Sequence, residues 1–427
     1  MSGLIVHDVH VLDEGGSFDS AAVDVAVRDG LVTFVGANAP ADADAVHHDG
    51  RGRWLIPGIV DCHAHVTSLS LDMLELMEMP VTRWAIEAGR NVEAMLRAGV
   101  TTARDAGGAD AGIRDSIAAG VILGPDLLIS CTMLSETGGH GDGFLAGPGL
   151  DCTAGYVVPD FPSMPSSLVD GPDEMRRKVR QIIRAGGDWI KLAISGGVLS
   201  GHDEPDHPQF GYEEISVAVE EARRKGRRVM AHAVAGPGID DAVRAGVRSI
   251  EHGVNLTEEQ AASMAQAGCY LVPTLTVLNQ MVERARTGGL PPVSARKALE
   301  LEPSVGKCVE IAKEYGVPIA LGSDFMTRDQ HGMNLSEIDS LRRAGLTAAE
   351  ALLAATRTGQ ELCERGETHG RIAAGYVFDA VLLGADPSDT TIFNDSAAVV
   401  SVYRRGHLVH STDGEPATTD SMKGAHL

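Results

Sequence analysis

Apolar residues fall into two textures along this chain. In the middle, short apolar runs alternate with amphipathic stretches. Strands are expected at 59–66, 101–105, 127–133, 189–195, 228–233, 249–253, 269–273 and 319–324. Helices are expected at 83–98, 175–185, 212–225, 238–245, 258–267 and 295–315. Each of these helices closes on a glycine, as in Ala98-Gly99, Ala185-Gly186 and Ala267-Gly268, the residue that ends a helix in the left-handed conformation before the next strand. Eight strands with alternating helices predict a (β/α)8 TIM-like barrel, whose catalytic groups sit at the C-terminal ends of the strands. The two ends read differently. Strand-like runs at 4–12, 23–28 and 31–36, and again at 378–383, 399–403 and 407–410, predict a small β-sandwich domain built from both termini. The expected organisation is 1–55 for the first part of the β domain, 56–360 for the barrel, and 361–427 for the return to the β domain with a polar, frayed tail from Glu415 to Leu427.

One segment breaks the rhythm. Residues 135–172 are rich in Gly, Pro, Ser and Asp, and so long a loop inside a domain reads as a lid or a substrate wall. Within it Phe144, Leu145, Tyr156, Val157, Val158 and Phe161 are candidates for an apolar lining.

Composition narrows the class. The chain has 427 residues, 44% hydrophobic, with 36 Lys+Arg against 59 Asp+Glu, a net charge of −23. That is enough apolar material for a large core, and the wrong charge for holding nucleic-acid phosphates. Six cysteines are scattered singly with no CxxC pair, which argues for a reducing compartment. The first residues lack the basic and apolar regions of a signal peptide, and no run approaches 18 apolar residues. The expectation is a cytoplasmic homo-oligomer acting on a small molecule, with no membrane or nucleic-acid partner.

The polar residues at the expected strand ends carry the chemistry. Strand one ends in Asp61-Cys62-His63-Ala64-His65, where residues two apart face the same way. Strand four carries Lys191 in an apolar run, strand five ends at His232, strand six at Glu251-His252, and strand eight at Gly322-Ser323-Asp324. Any one of these reads equally well as an ordinary buried or ion-paired residue. Four histidines, a lysine and an aspartate on one rim are a ligand set for zinc or a similar divalent ion.

With those residues in hand, the chain resembles the metal-dependent amidohydrolase superfamily. Ile56-Pro57-Gly58-Ile59-Val60-Asp61-Cys62-His63-Ala64-His65 looks like its opening signature, and Gly370-Arg371-Ile372-Ala373-Ala374-Gly375 with Asp379-Ala380-Val381-Leu382-Leu383 resembles the return into its small domain. The order HxH, Lys, His, His, Asp implies the binuclear subtype. Thr102-Ala103-Arg104-Asp105-Ala106-Gly107-Gly108, Thr137-Gly138-Gly139-His140-Gly141 and Ser195-Gly196-Gly197 point to the branch of prolidase-like dipeptidases, imidazolonepropionase-like proteins, ochratoxin-type amidases and phenylurea hydrolases. The resemblance implies two divalent ions, zinc first among candidates, bridged by a carboxylated Lys191. His63, His65 and Asp324 would hold the inner ion, His232 and His252 the outer. A water shared by two cations is hydroxide-like at neutral pH. Asp324 would shuttle its proton to the leaving amine, and His140 would donate a hydrogen bond to the developing oxyanion.

The expected activity is hydrolysis of an amide-type C–N bond in an N-acyl amino acid, dipeptide or related amide. One departure bears on specificity: relatives in this branch often carry Tyr or His two residues after the strand-five histidine, and here that position is Val234. A polar substrate contact is then missing or comes from Tyr212 or His202, and an apolar or aromatic group flanking the scissile bond is favoured. Phenylurea or carbamate hydrolysis is the alternative. Deamination of a heterocycle fits less well, because its Glu acid/base position is Ala235. A non-catalytic barrel would show lost ligands, and none is lost. Glu251 reads either as an orienter of a ligand or as a plain ion-pair partner. His202 and His207 read as solvated loop residues ahead of an auxiliary site, and His47-His48 as surface.

Overall fold

The computed structural model describes residues 3–18, 21–145, 147, 149 and 163–414. Parallel strands form the barrel in two arcs. One arc holds Ile59–Ala64, Val100–Asp105 and Asp126–Ile129; the other holds Met133–Leu134, Trp189–Ala193, Arg228–Ala233, Ser249–His252 and Tyr270–Val272. The third strand is therefore broken. Its first half pairs with strand two and its second half with strand four, and between them Cys131 turns through φ 62°.

The other seam is the segment 318–324, expected as the eighth strand, which forms an isolated bridge from Ile319 to Leu271 and few ladder bonds. Leu271 N donates to Pro318 O and Ala320 N to Leu271 O, at 2.9 and 3.0 Å. On the opposite side Cys62 N donates to Leu321 O at 2.8 Å and Asp324 N to His63 O at 2.7 Å. The amide of Leu321 goes to Ala354 O instead, and that of Ser323 to the Asp61 carboxylate, so the segment closes the ring without completing a regular ladder.

The single helix expected over 295–315 is two helices, Pro292–Leu301 and Lys307–Glu314. Pro303 has no amide to continue the first, and Gly306 turns at φ 86°. A further helix, Leu275–Arg286, precedes them, and with Pro292–Leu301 makes a hairpin inserted between strands seven and eight.

The small domain is a seven-stranded sheet in the order His407–Ser411, Val399–Arg404, Ala380–Leu383, Val46–Pro57, Leu4–Val11, Val23–Arg28, Leu31–Gly36. Its longest strand, Val46–Pro57, begins with polar residues and was not legible as a strand. It pairs parallel with Leu4–Val11 and antiparallel with Ala380–Leu383, then runs into the first barrel strand. Gly58 sits at that passage, where a Cβ would stand 2.1 Å from Thr101 Oγ1. At the junction Asp126 of the barrel meets Arg365, Arg404 and Arg405. Among the described residues no helix is long and apolar enough to cross a membrane.

Candidate active site

His63 and His65 leave the first strand on the same side and are both buried. Their outward nitrogens are taken. His63 Nδ1 lies 2.7 Å from Glu251 Oε2 and His65 Nδ1 lies 2.9 Å from Gly107 O. Each ring thus carries its proton on Nδ1 and turns Nε2 inward. Asp324 Oδ1 meets those nitrogens at 3.2 Å from His65 and 3.4 Å from His63. The ligand atoms of His63, His65 and Asp324 all lie within 4.8 Å of one another, a group able to hold a metal ion. Asp324 reaches this place in a left-handed conformation, φ 53°, a strained backbone that persists only when its surroundings fix it. Here Asp61 fixes it: its carboxylate accepts from Ser323 N and Oγ and from Asn334 Nδ2 at 2.6 to 3.0 Å.

Glu251 is fully buried and itself held by Arg104 Nη2, at 3.0 and 3.2 Å, and by Ser249 Oγ. It is an orienting partner of His63 and an ion-pair partner of Arg104 at once. Arg104, also fully buried, spans from the Cys62 carbonyl to Glu251 across the Trp189 ring.

The remaining rim residues complete a chain of imidazoles. Ring centroids run from His65 to His63 at 5.4 Å, to His252 at 5.0 Å, to His232 at 4.6 Å, and to His140 at 4.1 Å in a near-parallel stack. Lys191 Nζ stands 3.3 Å from His63 Nε2, and no described carboxylate lies within ion-pair distance of it. Burial, only partly offset by Glu251 and Asp324, lowers its ammonium to about 8. Burial likewise holds His140 and His252 neutral, each down to about 4, and keeps His63 and His232 well below the usual range. For Asp324, burial pushes the carboxyl up, but the histidines facing it, His65 with a hydrogen bond, outweigh burial and hold it below the usual carboxylate range, while the same bond outweighs burial at His65 and leaves that ring raised.

The amidohydrolase family pattern matches residues 54–409. The chain belongs to the amidohydrolase family. Ochratoxinase of Aspergillus niger is 32% identical over 395 residues, 90% of this chain and 82% of that protein. A prolidase solved with N-methylphosphonate-L-proline superposes with a TM-score of 0.89 at 32% identity, covering 96% of this chain and 100% of that one. A Xaa-Pro dipeptidase with bound methionine in its active site gives 0.85 at 26% identity, covering 95% and 99%. This amidohydrolase is a hydrolase acting on amide-type C–N bonds.

Around the amidohydrolase centre, the other sequence candidates divide. Val234 is buried in an apolar cluster with Val198, Val254, Val277, Leu278 and Phe325, on the loops after four of the barrel strands and, for Val277 and Leu278, on the helix Leu275–Arg286 after a fifth. Tyr212 is not brought to the centre: it is exposed and its ring lies 3.8 Å under the Arg244 guanidinium on the outer helices. His202 and His207 are exposed, as is His47. Phe144 is also exposed; Tyr156, Val157, Val158, Phe161 and the tail after residue 414 lie outside the described residues.

Sequence reasoning missed a buried network beside His140. Asp203 accepts from Ser200 Oγ, from Gln209 Nε2 at 3.0 Å and from Lys297 Nζ at 3.0 Å. Lys297 is fully buried, on the hairpin helix Pro292–Leu301, and also donates to Gly197 O and Ser200 O at 3.0 and 2.9 Å. No local pattern marks it, because its partners lie some hundred positions away.

Proposed function

We propose that this protein is a binuclear metal hydrolase of an N-acyl amino acid, dipeptide or related amide with an apolar or aromatic group beside the scissile bond. The observation that carries the reading is the convergence of His63, His65 and Asp324 with Lys191 packed against His63 and two further histidines next in line. The donor set fits two divalent ions. His63 and His65 turn Nε2 toward the centre beside Asp324; His252 commits Nδ1 to Thr274 Oγ1 at 2.7 Å, and His232 has Nε2 3.2 Å from Gly196 O, which leaves Nδ1 as its ligand atom. His63, His65 and Asp324 would hold one ion, His232 and His252 the other, most readily zinc.

Lys191 is the proposed bridge. A lysine buried among imidazoles without a carboxylate partner is costly as a cation. Its amine adding to CO2, with loss of one proton, gives a carbamate whose oxygens are anionic ligands. When bound, the ions supply an activated water and polarise the substrate carbonyl. The chain's own residues do the rest. Asp324, ionised and aimed at the centre, takes a proton and delivers it to the departing nitrogen. The cluster around Val234 and Phe325 excludes water and offers an apolar wall to the substrate.

A hydrolysis screen of the zinc-loaded protein across dipeptides, N-acyl amino acids and aryl ureas tests this. Turnover of apolar amides ahead of ureas is expected. Turnover of ureas or carbamates alone would move the assignment to that class.

A further inference from the structure

The network between the hairpin and His140 has a direction that its donors and acceptors determine. Lys297 can only donate, and its three contacts are Gly197 O, Ser200 O and Asp203 Oδ1. Asp203 is ringed by three donors and is therefore a carboxylate that only accepts. The single hydroxyl proton of Ser200 has two acceptors within reach, the Asp203 carboxylate and, more distantly, Gly197 O at 3.2 Å; the closer, charged Asp203 draws it, and the Ser200 oxygen is left as an acceptor. The group facing that oxygen is His140 Nδ1, at 2.9 Å. It must carry a proton to make the bond, so the other nitrogen of the neutral ring, Nε2, carries a lone pair.

The ring cannot turn over to escape this. It is clamped between His232, stacked at 4.1 Å, and the backbone of Gly197, where a Cβ would lie 2.2 Å from His140 Cε1. The backbone of His140 is tied to the same network, its N–H donating to Gln209 Oε1 at 3.0 Å. No described residue partners Nε2.

We propose that Lys297 and Asp203 are positioning residues that lock His140 as the Nδ1–H tautomer and present its Nε2 as a hydrogen-bond acceptor at the catalytic centre. The inference rests on the hydrolase reading for its kinetic consequence and on the hydrogen-bond geometry alone for the tautomer. It revises the role expected for His140 from sequence. A neutral ring locked this way cannot donate to an oxyanion from Nε2; it accepts, as from the N–H of a secondary amide or of the amine being released. It also ties the hairpin to the chemistry, since Lys297 is the hairpin's buried anchor. A carboxylate that sets the tautomer of a neighbouring imidazole can govern rate without disturbing the fold.

The test has two arms. In the first, nitrogen-15 histidine spectra of the full-length protein, with the His140 signal assigned by its loss in His140→Gln, should show the Nδ1–H pattern. In Asp203→Asn the freed Ser200 hydroxyl should turn to His140 and give the Nε2–H pattern. An Nε2–H signal in the unmodified protein, or the same tautomer in both, overturns the proposal. This arm needs no substrate, so it stands even if the hydrolysis screen fails. In the second arm, on the best substrate found, Asp203→Asn, Ser200→Ala and Lys297→Met should lower kcat at least about ten-fold with KM and metal content little changed. In a His140→Ala background they should add nothing. Equal losses with and without His140 would show that they act through packing and would overturn the positioning role. Ser200→Ala, the smallest change, keeps the test alive if Lys297→Met does not fold.

Discussion

Among the described residues, His63–His65–Asp324 in the barrel and His7–His47–Asp24 on the small domain are both His–His–Asp groups, and of these two the first brings its ligand atoms close enough together to hold a metal ion. In the barrel, His63 and His65 spend Nδ1 outward on Glu251 and Gly107 O, and their Nε2 atoms converge with Asp324. On the small domain, His7 Nδ1 contacts Asp24 Oδ1 at 3.2 Å, while His7 Nε2 lies 2.8 Å from His47 Nδ1. There the two rings stack 7° from parallel and satisfy each other, partly in water. The residue types are the same. The difference lies in outward partners: a buried acceptor behind each ring holds Nδ1 and fixes where the inward nitrogen points.

The sharpest way to break this comparison is to neutralise each aspartate. Asp324→Asn should lower kcat about a thousand-fold, within the range for a lost proton-transfer group, with a smaller loss of bound metal; Asp24→Asn should change neither by more than about two-fold. Comparable losses at both sites, measured by steady-state kinetics and elemental analysis, would abolish the distinction. Next comes Lys191→Ala, which should lose most activity and recover part of it with added short carboxylates able to bridge two ions. A bare amine in electron density with both ions bound would contradict the carbamate.

Removing the outward partner alone should act on affinity. Glu251→Gln should weaken metal binding roughly 10- to 100-fold, read by titration against a chelator, although Glu251 is not itself a proposed ligand. Unchanged affinity would mean that outward partners do not prepare the rings. The smallest effect on activity is expected far from the centre. Burial pushes the Asp126 carboxyl up, but Arg404, Arg365 and Arg405 outweigh it and hold it far below the usual range. Such a depressed carboxylate stabilises the fold above the ordinary carboxylate range, and that stability is lost as pH falls below about 4. Asp126→Asn should cost about 3 kcal/mol and flatten the acid limb of the Tm profile, with kcat unchanged at 25 °C.

What could be read from sequence follows from range. The strand–helix alternation and the glycine stops are local, and they located seven barrel strands and the rim residues on them. Strand three looked continuous because nothing in Leu127 to Met133 announces that its two halves take different neighbours. Val46–Pro57 was hidden because its first half is polar and mostly exposed and two glycines interrupt it. Ligand candidates were legible because HxH and Gly322-Ser323-Asp324 are compact motifs. The groups that orient them were not. Arg104 meets Glu251 across 147 positions and Lys297 meets Gly197 across 100, and such buried pairs leave no periodicity behind. Tyr212 had the right place in the order of the chain, but Arg244 claims its ring.

The thinly laddered eighth strand gives the centre a place in time as well as space. Asp61 and Ser323 are 262 residues apart, so a chain emerging from the ribosome exposes the two histidines early and the aspartate only after nearly all of the barrel has been made. Until 318–324 slides between its neighbours, no fragment can offer the full ligand set. Closure of the ring and completion of the centre are then one event, and uptake of the ion becomes a clock for the last step of folding.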